Sequence, residues 1–226
     1  MRAQCLSALL ISGLAAACPI VGRQTATATA AAPEATSTGT PGSSTGGASV
    51  SGPIVDATKI EAIMDGSNTC EGAQFPNECR TAEQAAPFIT KACAQLTTAE
   101  CAATIALMSV ESVNMKFKHN VNPGRPGQGT ANMMMFNFVQ EYAADLFGKE
   151  AVDGKAPDNV LAMVTVDEHN FGSAAWFLTK KCSNVRSALQ KGDDAGWLAY
   201  NECIGVNGEL PERMAPWNKA KAAFNL

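Results

Sequence analysis

The stretch Thr97-Thr98-Ala99-Glu100-Cys101-Ala102-Ala103-Thr104-Ile105-Ala106-Leu107-Met108-Ser109-Val110-Glu111-Ser112 decides the fold. Thr97 and Glu100 have the spacing of a capping box, in which each side chain bonds the other's backbone N–H and so opens a helix. Cys101, Ile105, Met108 and the alanines between them repeat at helical spacing. From Cys101 to Val110 every residue is apolar or small, so this helix is expected to be buried rather than to show one face to water. It runs to about Ser112, and Glu111 is the one charge near its end.

Helix signals also dominate on both sides. Asp56 can cap a helix carrying Ile60, Ile63 and Met64, and Thr81 with Gln84 forms another capping box. Further helical pattern runs over 132–147, 157–164, 170–181, 183–191, 193–203 and 211–224. Gly192 suits a helix C-terminus and Asp193 or Asp194 the next cap. The run Lys118-His119-Asn120-Val121-Asn122-Pro123-Gly124-Arg125-Pro126-Gly127-Gln128-Gly129-Thr130 is a segment no helix could hold. No alternating strand stands out. The predicted class is mainly α, with that Gly/Pro-rich loop or a small hairpin beside any cleft.

The chain outside the domain reads differently. Residues 1–17 combine Arg2, an apolar run and a small-residue end, the pattern of a secretory signal peptide. Residues 18–53 read as a Ser/Thr/Pro/Gly-rich disordered linker. The folded unit is expected over 54–226. It holds Cys70, Cys79, Cys93, Cys101, Cys182 and Cys203, an even number behind a signal peptide, which points to disulfides and a secreted, extracellular protein. Six cysteines allow fifteen connectivities; the spacing invites 70–79, 93–101 and 182–203.

Composition removes several functions. The net charge of −4 gives no basic field for nucleic acid, and no apolar run is long enough to span a membrane. Two histidines leave little for a His-built metal site; His119 and His169 read as structural, and neither a metal nor a cofactor is expected. The Gly-rich loop lacks the Lys-Ser/Thr of a phosphate loop. Trp176, Trp197 and Trp217, at helical positions, read as core.

Glu111 remains. A carboxyl held against an apolar helix end and facing a cleft would resist ionising and so keep a proton to donate. Glu111-Ser112, then a loop, then Gly129-Thr130-Ala131-Asn132-Met133-Met134, and much later Ala199-Tyr200-Asn201, resembles the goose-type lysozyme and soluble lytic transglycosylase family. The likeness covers residues 97 to about 205. It implies a lysozyme-like domain that cleaves β-1,4-linked amino-sugar polymers, peptidoglycan first, as a hydrolase or a lytic transglycosylase acting as a monomer. By the same resemblance Glu111 would protonate the glycosidic oxygen. Ser112 would orient that carboxyl or a sugar amide, Tyr200 and Asn201 would lie across the cleft with the phenol reaching Glu111, and Gln128 and Asn132 would meet the sugar. Asp145 and Asp167 are possible water-activating bases. Two positions depart from the family pattern: Val113 stands where Gly is usual, and Met134 where Gln is usual. These departures favour the alternative, a catalytically inactive lysozyme-like protein that binds glycan or acts as an effector.

Overall fold

The computed structural model describes residues 52–226, so the signal peptide and nearly all of the linker lie outside the described residues. Nine α-helices occupy the described residues: α1 (Ala57–Ile63), α2 (Ala82–Cys93), α3 (Thr98–Glu111), α4 (Phe136–Phe147), α5 (Pro157–Val164), α6 (Asp167–Lys180), α7 (Arg186–Leu189), α8 (Asp194–Ile204) and α9 (Pro211–Phe224). The mainly α class holds, and the Gly/Pro loop carries only isolated bridges, His119 with Gly129 and Gly129 with Met134.

The architecture follows from α3. Every residue from Ala99 to Ser109 is buried, as the run of small and apolar side chains from Cys101 onward demands, and the charged Glu100 is buried with them against Arg186. Its main partner is α9; α1 also lies on α9, α2 packs on α6, α4 on α5 and α7 on α8. Burying Ile105, Leu107 and Met108 contributes roughly 1.5–3 kcal/mol each, before the entropy of ordering them is set against it. Trp197 and Trp217 stack in the core with ring centroids 5.3 Å apart, which ties α8 to α9.

The caps formed largely as predicted. Thr97 accepts from Glu100 N–H while Glu100 accepts from Thr97 N–H, and Thr81 with Gln84 does the same. Asp56 caps α1 and Asp193 caps α8. Three boundaries differ. The helix expected from 132 begins at Phe136, because Gly129 and Met134 exchange backbone hydrogen bonds and Thr130 and Met133 take left-handed φ of 70° and 45°. The helix expected from 170 begins at Asp167, whose charge with Glu168 suits a helix N-terminus. The segment 183–191 is a 3₁₀ turn followed by the short α7. There Gly196 lies so close that a Cβ on it would sit 2.5 Å from the Ala188 carbonyl.

Disulfides join Cys70 to Cys79, Cys93 to Cys101 and Cys182 to Cys203. Each closes a short loop and contributes on the order of 3 kcal/mol by restricting the unfolded chain. Such bonds persist in oxidising surroundings, in keeping with a secreted protein. No helix among the described residues is long and apolar enough to cross a membrane.

Candidate functional site

The end of α3 sets the site. Ser112 is fully buried; its hydroxyl donates to the Met108 carbonyl at 2.6 Å and accepts from Met115 N–H at 2.8 Å. Between these two anchors Val113, Asn114 and Met115 all adopt left-handed backbone, with φ of 52°, 54° and 64°. One such residue costs roughly 1–2 kcal/mol when it is not glycine, and β-branched Val113 fits worst. The turn is fastened by Ser109 Oγ donating to Asn114 Oδ1 at 2.7 Å and by Asn114 Nδ2 donating to the Asp65 carbonyl at 3.1 Å. Its effect is to reverse the chain abruptly and leave the Glu111 side chain, 20% exposed, at the mouth of a cleft.

That cleft has a volume of about 590 Å³ and is lined by Gln74, Phe75, Glu111, Val113, Phe117, His119, Asn120, Val121, Asn122 and Met133. A second cavity of about 620 Å³ shares Phe75, His119, Asn120 and Val121 with it and continues past Glu78, Arg125 and Asp158. Sharing this wall, the two cavities adjoin as one groove. Phe75 and Phe117, with ring centroids 5.9 Å apart, give it an apolar wall, while Asn120, Asn122 and Gln74 give it amide edges.

The surroundings of Glu111 differ from the dry setting expected from sequence. Arg213, from α9, donates from Nη2 to Glu111 Oε1 at 2.7 Å and from Nη1 to Asn201 Oδ1 at 3.4 Å. Asn201 is buried and donates in turn to the Trp197 carbonyl at 2.9 Å. Tyr200 is also buried, and its hydroxyl has no hydrogen-bond partner. Burial, and then the negative charge of Glu111, pushes that phenol well above its ordinary range. So α8 does approach Glu111, but Arg213 and not Tyr200 takes hold of the carboxylate.

The other sequence-predicted residues fall away from the groove. Ser112 is occupied with the backbone, so its expected part in orienting the carboxyl or a sugar is not available in this geometry. Gln128 bonds within its own loop, accepting from Asn120 Nδ2 at 2.6 Å and donating to the Met133 carbonyl at 3.3 Å. Asn132 is buried with its Oδ1 unpartnered. Asp167 receives Arg80 at 2.7 Å, and Asp145 receives the Trp176 indole at 2.9 Å; neither lines the groove. Met134 is buried, and it is Met133 that faces the cleft, so the departure at 134 takes nothing polar from it.

Two residues beside Glu111's site gain a role only from the fold: Arg213, which holds the carboxylate without lining either cavity, and His119. Arg213 is an ordinary helix residue until the fold places it, and from sequence His119 reads as structural. The imidazole instead lines both cavities, with Nδ1 2.6 Å from Glu78 Oε2. Among the described residues no three His, Cys, Asp or Glu side chains converge as a metal site would need.

No protein-family model matches the chain, and no solved structure matches it. The chain is 41% identical over 158 residues to a Fusarium oxysporum (strain Fo5176) protein named bifunctional dioxygenase (DOX)-epoxy alcohol synthase (EAS). The match takes in 63% of this chain and 12% of that protein, so the chain spans about an eighth of its relative's length.

Proposed function

We propose that this domain is a secreted, lysozyme-like, glycan-cleaving enzyme acting on β-1,4-linked amino-sugar polymers, peptidoglycan first. The observation that carries the reading is a carboxyl at the end of the buried central helix, with one oxygen bonded to Arg213 and the other without a protein partner, opening onto a groove of two adjoining cavities. Aromatic faces beside amide edges are what a sugar chain needs, since its rings present apolar faces and hydroxyl rims. Glu111 donates a proton to the glycosidic oxygen as the bond to the anomeric carbon breaks. The folded unit carries fifteen Lys and Arg against twenty Asp and Glu, so long-range attraction to an anionic wall adds nothing and contact in the groove supplies the affinity. The relative's oxygenase name covers a protein eight times longer than the shared segment and carries no chemistry to this groove.

One observation favours a second reading, an inactive glycan-binding or effector protein. The Arg213 contact is a charge-assisted hydrogen bond, and a carboxyl that delivers a proton must break it or use Oε2.

Cell-wall suspensions and insoluble chitin, incubated with the parent and with Glu111→Gln, separate the readings when products are followed by mass spectrometry. The enzyme reading expects soluble fragments from the parent and about a 100-fold or greater loss in the variant. Equal release by both removes Glu111 as the acid. Retention on the polymer with no fragments from either establishes the binding protein.

A further inference from the structure

The groove holds a second proton-carrying side chain that the reading above does not use. His119 is fixed at both its backbone and its ring. Its backbone bridges Gly129, and Thr130 N–H donates to the neighbouring Lys118 carbonyl at 2.8 Å. The approach is too close for any side chain on Gly129, where a Cβ would lie 3.0 Å from His119 Cα and 2.7 Å from Leu161 Cδ1. The ring is held by Glu78, whose side chain is 11% exposed and whose Oε2 also accepts the Lys118 N–H at 3.2 Å. A carboxylate accepts only, so the proton on that bond belongs to Nδ1. In the neutral ring Nε2 then carries the lone pair, and it has no partner among the described residues. A carboxylate that fixes the tautomer and leaves Nε2 free is the arrangement that makes an imidazole a directed base. Glu111 lines the same cavity.

We propose that His119, oriented by Glu78, is the general base of the reaction in which Glu111 is the acid. The proposal rests on the glycan-cleaving reading and supplies its missing half. His119 Nε2 takes a proton from the attacking oxygen, which belongs to water or to the substrate's own hydroxyl. That oxygen bonds to the anomeric carbon, the bond to the departing sugar breaks, and the departing oxygen receives the Glu111 proton. The imidazolium then releases its proton to solvent and Glu111 regains one. Glu78 is a positioning residue: it touches the ring, not the sugar.

The test follows the rate of fragment release against pH for the parent, His119→Asn, His119→Gln and Glu78→Gln. Asn keeps a nitrogen donor close to where Nδ1 lies, facing Glu78, while removing Nε2. The charged groups around His119 that share this profile are Glu78 and Lys118 beside it, Glu111 from α3, Arg125 from the Gly/Pro loop and Asp158 from α5. None of them is altered in His119→Asn. The expected result is a fall in kcat of about 100-fold with KM kept within a few-fold, and disappearance of the limb that rises with pH. Glu78→Gln is expected to lose about 10-fold in kcat. If no rate is measurable in His119→Asn, partial recovery on adding free imidazole supports the base and its absence overturns it; His119→Gln replaces His119→Asn should the latter fail to fold. Survival of the rising limb in a His119 variant overturns the proposal alone. A parent that releases no fragments overturns the cleavage reading, and this proposal with it.

Discussion

Helix α3 carries a glutamate near each end, and each is bonded to an arginine far away in sequence, yet the two pairs are built for different ends. Glu100 is wholly buried. Its carboxylate accepts from Arg186 Nε at 2.6 Å, Arg186 Nη2 at 3.2 Å, Gln190 Nε2 at 3.1 Å and Thr97 N–H at 2.9 Å. Glu111 accepts from Arg213 alone and keeps an edge in the groove. Saturation separates them. A carboxylate whose lone pairs are all engaged holds structure together, whereas one with a free oxygen and access to solvent can also do chemistry.

The largest effect expected from breaking this contrast is in Arg186→Met. Removing the partner strands a buried carboxylate, which costs about 3–5 kcal/mol in urea unfolding at neutral pH. The effect has a sign in pH. Burial by itself would raise the Glu100 carboxyl, but the bonds from Arg186, Thr97 and Gln190 outweigh it and hold the group below its ordinary 4.5. A depressed carboxyl contributes stability that is present above the unfolded value and lost as pH falls through the folded one. The parent therefore weakens below about pH 4.5. In Arg186→Met burial is opposed only by the bonds from Thr97 and Gln190, so the variant's deficit shrinks on acidification, a convergence that parallel unfolding curves would reveal or refute.

Arg213→Met is expected to cost less, about 1–2 kcal/mol, because Glu111 stays partly hydrated once its partner is gone. A loss as large as that of Arg186→Met would show that both ends of α3 are structural. The smallest change expected is a gain. Val113 is 56% exposed and held at a left-handed φ, so Val113→Gly should stabilise the fold by about 1 kcal/mol or less, read as a rise in Tm. A fall would mean that the valine's place in the cleft wall outweighs its backbone strain.

The difference between the pairs also marks what could be read before the structure. Capping boxes, helix periodicity and short-range cysteine spacing are local, and α3, α5 and α9 appear where their signals place them. Glu100 was legible as a capping residue, but its arginine lies 86 positions away and nothing in the sequence joins them. Arg213 is 102 positions from Glu111 for the same reason, and Glu78 is 41 from His119. Glu111 stands out in the sequence because it breaks an apolar run. Asn201 was placed near it by resemblance, although its contact with the carboxylate passes through Arg213. Ser112, which that resemblance would give to the carboxyl or the sugar, is spent on holding the left-handed turn.

Residues 71–78, which bring Gln74, Phe75 and Glu78 to the groove, contain no helix and are closed at their base by Cys70 and Cys79. The helical body has its own two staples elsewhere. Breaking this one bridge, as in Cys70→Ser with Cys79→Ser, would therefore slacken one bank of the trough while the two remaining staples keep the bundle's helical signature.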